Sequence, residues 1–318
     1  MFNDWEAAGL LLEDLDRELA GCPIAPEVLL IDDGSTLAMP GGFGSQSYRV
    51  LRGVRILHLR RNLGHQRAIA VGMVFVYQNL PCGAVVVMDA DGQDRASDVP
   101  ALIRSFDSDE GRSIIFAARA KRLERFSFRF LYRVYRMLHW LITGDQVRVG
   151  NFSVVPFEGL AKLVVVPEIW NHYAAAVIRS RILFRTVPIA RGERLTGGSK
   201  MNFIALLLHG LSAFFVYGDI IGARLLVGIA LALTLEALLV ATGIALYFTT
   251  RLSVLGLTAW LAGILGVILL QAIPTALILV FTVVGSRANV GFLPLRDCPY
   301  FVRDDERVFP APDLSDAG

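Results

Sequence analysis

The sequence predicts an α/β domain on a mostly parallel sheet, followed by a pair of membrane-spanning helices. Three observations carry that reading. Helical and strand-like apolar patterns alternate up to residue 200, polar clusters recur where the apolar strands end, and charge almost disappears between Leu225 and Val284. Across 318 residues the chain is 54% hydrophobic with a formal net charge of +2. Its mean hydropathy of +0.52 is too high for an ordinary soluble enzyme, and the excess lies after residue 200.

The elements follow in order. Trp5, Ala8, Leu12, Leu15 and Leu19 form a helical stripe, and Val28 to Ile31 is a short apolar strand. Val54 to Leu59 reads as a second strand, Ala68 to Tyr77 as a helix, Ala84 to Met88 as a third strand and Ser113 to Ala117 as a fourth. In parallel sheets ligands bind at the carboxyl ends of strands. The polar clusters fall there: Asp32-Asp33-Gly34-Ser35, then Arg61-Asn62-Leu63-Gly64-His65, then Asp89-Ala90-Asp91-Gly92-Gln93-Asp94, then Arg119 and Arg122. One such cluster is what a turn prefers. Four in succession predict a shared pocket.

The third cluster is the most telling. Asp89 and Asp91, one residue apart after a buried strand, can turn oxygen ligands toward one hard divalent cation that keeps open positions for waters and phosphates. The implied substrate is a diphosphate. His65 opens a helix after Gly64, where the N-terminus favours anions, so it is a candidate contact for donor phosphate or sugar.

Leu225 to Phe248 contains one ionisable side chain, Glu236, and Val254 to Val284 contains none, with Pro274 inside. Each is long enough for a bilayer core of roughly 30 Å. Arg191, Arg194, Lys200 and Arg224 precede the hairpin and Arg287, Arg296 and Arg303 follow it, against Arg251 in the turn, so both ends are expected in the cytosol. The expected localisation is the cytoplasmic membrane, multi-pass. Residues 202 to 222 mix apolar residues with His209, Ser212 and Asp219, predicting an amphipathic helix in the headgroup layer. Glu236 is expected to pair across the hairpin, with Gln271 as candidate, or to mark a site. The expected division is 1–200 cytosolic domain, 201–223 interfacial helix, 224–286 two spans and 287–318 cytosolic tail, with the acidic, Pro-containing stretch after Arg303 disordered. Cys22, Cys82 and Cys298 are too dispersed for a disulfide framework or a zinc site.

Ile31-Asp32-Asp33-Gly34-Ser35, the run from Arg61 to Gly72, the strand into Asp89 to Asp94 and the run from Arg191 to Asn202, followed by two spans, resemble the family 2 glycosyltransferases that act on polyprenyl phosphates. The resemblance implies a GT-A fold, inversion at the anomeric carbon and a requirement for Mg2+ or Mn2+. It implies that Asp33 contacts the nucleoside of a UDP- or GDP-sugar and that Asp89, Asp91 and Gln93 hold the metal on its diphosphate. A metal offsets negative charge developing on the leaving group, and a lipid phosphate is already an anionic nucleophile, so a strong base is not required; Asp94 lies near enough in sequence to be considered for that role. Gripping the acceptor phosphate needs cations. Arg119, Arg133, Arg194 and Lys200 are the candidates, the last two with Ser199 in an RxxGxSK-like element whose glycines suit a closing loop. Asn151 stands where many relatives carry an acidic residue. The expected partners are a nucleotide sugar, a polyprenyl phosphate lipid and the membrane, with no nucleic acid; a homo-oligomer is compatible with the sequence.

One departure concerns the start. The family opens with a buried strand and a PVYNE-like turn, whereas Met1-Phe2-Asn3-Asp4-Trp5 matches only the tail of that turn, so the first strand is expected to be missing, with neighbouring backbone left unpaired. A misplaced start codon is the favoured explanation. Two other functions are weighed: an inactive scaffold or flippase partner, and a processive polysaccharide synthase, which would carry a QxxRW motif and more spans.

Overall fold

A computed structural model describes residues 1–119, 149–190, 192, 195, 216–250, 255–288 and 291–310. They divide into two compact units, one holding the described residues up to 216 together with 292–310, the other holding 217–291.

The first unit follows the alternation read from the sequence. α1 (Trp5–Glu18) buries Trp5, Ala8, Leu11, Leu12 and Leu15 along one stripe. It leads to β1 (Glu27–Asp32), β2 (Gly53–Leu59), α2 (His65–Asn79), β3 (Ala84–Val87), α3 (Val99–Ser108) and β4 (Ile114–Arg119). Further along the described chain come β5 (Ser153–Pro156), α4 (Phe157–Leu163), α5 (Tyr173–Arg179) and β6 (Phe184–Ile189).

The strands form two mixed sheets in place of one mostly parallel sheet. Their orders are β1-β2-β7 and β3-β5-β4-β6, where β7 is Val302–Phe309. β1/β2 and β4/β6 are parallel, while β3/β5, β4/β5 and β2/β7 are antiparallel. β1 and β3 are both edges, yet the same two apolar layers cover them. Leu29 and Ile31 pack with Val85 and Val87 against one core, and Val28 packs with Ala84 and Val86 against the other. All four residues of β3 remain half-buried although each is apolar. On the outer edge of β1 the Met1 α-amino group donates to the Ile31 carbonyl at 2.6 Å and the Asp33 N–H donates to the Met1 carbonyl at 2.8 Å. Both bonds follow the slanted pattern of a parallel ladder.

The expected disorder after Arg303 is corrected for residues 304–310, whereas 311–318 lie outside the described residues. β7 lies antiparallel on β2, with His58 opposite Asp304 and Ile56 opposite Glu306. Its run of charges suits an exposed edge strand. Val308 fills the cluster around Val54 and Leu30, and Arg55 meets Asp305 at 2.6 Å. A composition that resembles a solvated tail is here held by backbone pairing.

The second unit contains α6 (Gly218–Thr250) and α7 (Leu255–Ala288, with Pro274 inside). Segments 218–246 and 262–282 have mean hydropathies of 2.3 and 2.5, so by length and composition each is able to cross a bilayer. α6 begins before the expected span and takes in residues 218–223 of the expected interfacial helix; 201–215 lie outside the described residues. The Glu236 side chain lies against Gly266, close enough that a Cβ there would sit 3.1 Å from its Oε1.

Candidate active site

The site begins where β1 ends. Asp33 is buried, and its two carboxylate oxygens accept the N–H groups of Leu63 at 2.7 Å and Gly64 at 2.9 Å. Burial pushes its carboxyl above the ordinary range, against the pull of those N–H groups and the Met1 amine. Each oxygen keeps a second lone pair for a ligand. Gly34 makes the approach possible. With φ at +68° it brings the turn so close to the Arg61-Asn62 peptide that a Cβ would lie 2.6 Å from both the Arg61 carbonyl carbon and the Asn62 nitrogen.

That grip sets the entry to α2, whose first residue is His65. The His65 Nε2 lies 3.7 Å from Asp89 Oδ1 and 2.6 Å from Asn151 Nδ2. The second and third strand-end clusters therefore meet here, and Asn151, just before β5, joins them. The first cluster is close as well: the buried Met1 amine, lowered by desolvation, feels the charges of Asp33, Asp32, Asp4 and Asp89.

The loop after β3 is internally braced. Asp94 Oδ2 accepts the Asp89 N–H at 2.9 Å, and Asp91 Oδ1 accepts the Gln93 N–H at 3.0 Å. A second segment is stitched on top: the N–H of Gly192 donates to the Gln93 carbonyl at 3.0 Å and that of Leu195 to the Asp91 carbonyl at 3.1 Å. Gly92, at φ +81°, lies directly under the Leu195 side chain. A small cavity of about 20 Å³ next to this loop is lined by Gln93, Asp94, Asn151 and Phe152 among others, room for roughly one water.

Several further residues escape sequence reasoning. Gln66 accepts the Tyr173 N–H at 2.7 Å and donates to Asn151 Oδ1 at 3.1 Å. Tyr173, fully buried, shares a hydrogen bond with Ser153 at 2.8 Å. Behind the first cluster the buried His58 donates through Nδ1 to Asp32 Oδ2 at 2.9 Å, with Glu306 of β7 at 3.7 Å from Nε2. The only local signal was the placement of Gln66 next to His65 and of Asp32 next to Asp33.

Of the expected acceptor residues, Arg119 ends β4, and its side chain lies outside the described ones. Arg133, Arg194, Ser199 and Lys200 all lie outside the described residues.

Among the described residues no group of three or more His, Cys, Asp or Glu side chains is arranged to hold a metal. The donors present are nevertheless of the right kind. Magnesium sites commonly take one or two carboxylates and complete the shell with waters and substrate phosphates. Asp89, a partly exposed carboxylate beside His65, and Asp91 match that demand in charge and hardness.

The model of the family described as glycosyl transferase family 2 matches residues 2–160. A Bacillus subtilis (strain 168) protein named uncharacterized glycosyltransferase YkcC is 28% identical over 203 residues, covering 59% of this chain and 58% of that protein. Undecaprenyl-phosphate 4-deoxy-4-formamido-L-arabinose transferases are also similar. The Enterobacter sp. (strain 638) protein is 24% identical over 65% of this chain and 62% of its own length. The Edwardsiella ictaluri (strain 93-146) protein is 25% identical over 62% and 60%. The chain thus spans about six tenths of the curated relatives it matches.

Proposed function

Because this chain belongs to glycosyl transferase family 2, we propose that it is a membrane-anchored inverting glycosyltransferase that moves a sugar from a nucleotide-sugar donor to a polyprenyl phosphate. The placement of His65 between Asn151 and Asp89, the latter in the loop that carries Asp91, is the observation that carries the reading. The names of the relatives, several of which are undecaprenyl-phosphate transferases, support the acceptor class.

Asp89, Asp91 and Gln93 would hold a Mg2+ or Mn2+ ion, which supplies positive charge against the diphosphate as it leaves. Asp33 would meet the nucleoside while its grip on Leu63 and Gly64 orients the loop into His65. His65 would face the donor's phosphates or sugar. The anionic lipid phosphate attacks the anomeric carbon directly, a single displacement that inverts configuration. Asp94 then needs no role as base. Its bond to the Asp89 N–H suits it to shaping the loop, because removing that acceptor frees the backbone that presents Asp89. Arg119, Arg133, Arg194, Ser199 and Lys200 would bind the acceptor phosphate. The two apolar helices, flanked by basic residues, would place the protein in the cytoplasmic membrane with its α/β domain in the cytosol.

The test is transfer of radiolabel from UDP- and GDP-sugars to polyprenyl phosphate by membranes containing the protein. Glycolipid is expected with Mg2+ or Mn2+, and a loss of at least about 100-fold is expected for Asp91→Ala or after chelation. Undiminished glycolipid from Asp91→Ala would refute the metal assignment, and no transfer with any donor would refute the enzymatic reading.

A further inference from the structure

A chain of side-chain hydrogen bonds runs from a buried backbone amide to the edge of the site, and its direction is fixed at the buried end. The Tyr173 N–H can only donate, so the Gln66 oxygen that receives it at 2.7 Å is Oε1. The other end of the Gln66 amide is then Nε2, which donates to Asn151 at 3.1 Å. Asn151 must receive that bond on Oδ1, which turns its Nδ2 toward His65 Nε2 at 2.6 Å. An amide NH2 has no lone pair to offer, so His65 Nε2 accepts and the ring proton resides on Nδ1. Tyr173 is fully buried and Gln66 nearly so, which leaves neither amide free to turn over without orphaning a polar group.

We infer that Gln66 and Asn151 are positioning residues that lock His65 in the Nδ1–H tautomer, so that Nδ1–H is the ring's one donor to an anionic oxygen of the nucleotide-sugar diphosphate. Nε2, the nitrogen beside Asp89, is occupied by Asn151 and faces that carboxylate without a proton. The ring is 47% exposed, accessible to a ligand, and stands at the first turn of α2, where anions are favoured. The relay also gives Asn151 a definite task. An aspartate at this position has no NH2 to offer and would require a proton on Nε2. The ring would then be held with its donor turned toward the carboxylates and away from the donor substrate.

The ligand class rests on the proposed glycosyl transfer, whereas the tautomer does not, and the experiment separates them. Full-length protein carrying ¹⁵N-histidine, in detergent, is examined by long-range ¹H–¹⁵N correlation of the imidazole rings, with His65 assigned by His65→Gln. The wild-type ring is expected to show the Nδ1–H pattern. Gln66→Glu keeps an acceptor for Tyr173 but loses the donor to Asn151, so Asn151 turns over and His65 is expected to switch to Nε2–H. Asn151→Asp is expected to give the same switch by different chemistry. A wild-type Nε2–H ring, or an unchanged tautomer in a folded variant, overturns the relay. Addition of UDP and of GDP with Mg2+ is expected to shift the wild-type Hδ1 resonance for one of them and to leave the switched variants unmoved; no shift with either overturns the ligand assignment alone. In transfer assays the two variants are expected to lose about 10-fold in kcat/KM.

Discussion

The backbone N–H of Leu195 donates to the carbonyl of Asp91 at 3.1 Å, and the Leu195 side chain covers Gly92. The segment proposed to carry acceptor-binding residues is therefore fastened to the loop proposed to carry the metal ligands through main-chain atoms. Such a joint does not depend on which side chains flank it. It does depend on Gly92, which lets the two backbones approach.

Gly92→Ala tests that joint. The added Cβ would sit 2.3 Å from Leu195 Cγ at φ +81°, a region that costs an L-residue about 1–2 kcal/mol before any clash. Lifting of the Leu195 segment is expected to lower kcat for glycolipid synthesis by at least about 10-fold with a small change in melting temperature. Unaltered kinetics would show that the joint is dispensable.

Gly34→Ala acts on the fold itself. Its Cβ would meet backbone atoms of Arg61 and Asn62 at 2.6 Å, and backbone cannot swing aside as a flexible side chain can. A destabilisation of about 2–4 kcal/mol is expected by denaturant titration in detergent, together with weakened nucleotide binding as Asp33 loses Leu63 and Gly64.

Asp32 predicts a pH dependence. Burial works against its carboxylate, but hydrogen bonds from Ser35 and His58 outweigh burial and hold the carboxyl below its ordinary value of 3.8. A depressed carboxyl contributes stability that is present above 3.8 and lost as pH falls through the folded value. Asp33 has the opposite sign: burial raises it, so its contribution is present below 3.8 and lost as pH rises through the raised value. Asp32→Asn is therefore expected to flatten the fall in melting temperature in strongly acidic buffer. An acid limb as steep as that of the wild type would exclude Asp32 as its source.

Tyr173→Phe removes one hydroxyl from a fully buried site. Burial holds this phenol far above its usual range, so it stays a neutral partner of Ser153. Ser153 keeps its bond to the Asn151 carbonyl, so the expected cost is about 1 kcal/mol, measured by thermal or denaturant unfolding. A loss several times larger would indicate that the Ser153 hydroxyl is left unsatisfied in spite of its bond to the Asn151 carbonyl.

Elements with strong apolar periodicity were legible in the sequence. α1, β1, β2, α2 and β4 lie within a few residues of their expected limits, because Trp5, Leu12, Leu30, Ile56 and Phe116 each bury the face that the pattern assigns to them. β7 was not, because Arg303 to Glu306 present charge to solvent and the strand is defined by backbone pairing with β2. At the site, the strand-end positions of Asp33, Asp89 and Asp91 were legible from local pattern. The bonds that Asp33 makes to Leu63 and Gly64, and the path from Tyr173 through Gln66 to Asn151, join residues far apart in the chain, and no local pattern encodes them.

β7 also imposes an order on biosynthesis. Arg55 and its ion-pair partner Asp305 are 250 residues apart, with both long apolar helices between them. At translation rates of about 5–20 residues per second, the third strand of the first sheet reaches the ribosome exit roughly 12–50 s after the second. Throughout that interval β2 presents an unfilled edge while α6 and α7 are being made. β7 acts as a seal: a nascent chain that stops after α7 has complete apolar helices but an open sheet, which marks it for chaperones and proteases.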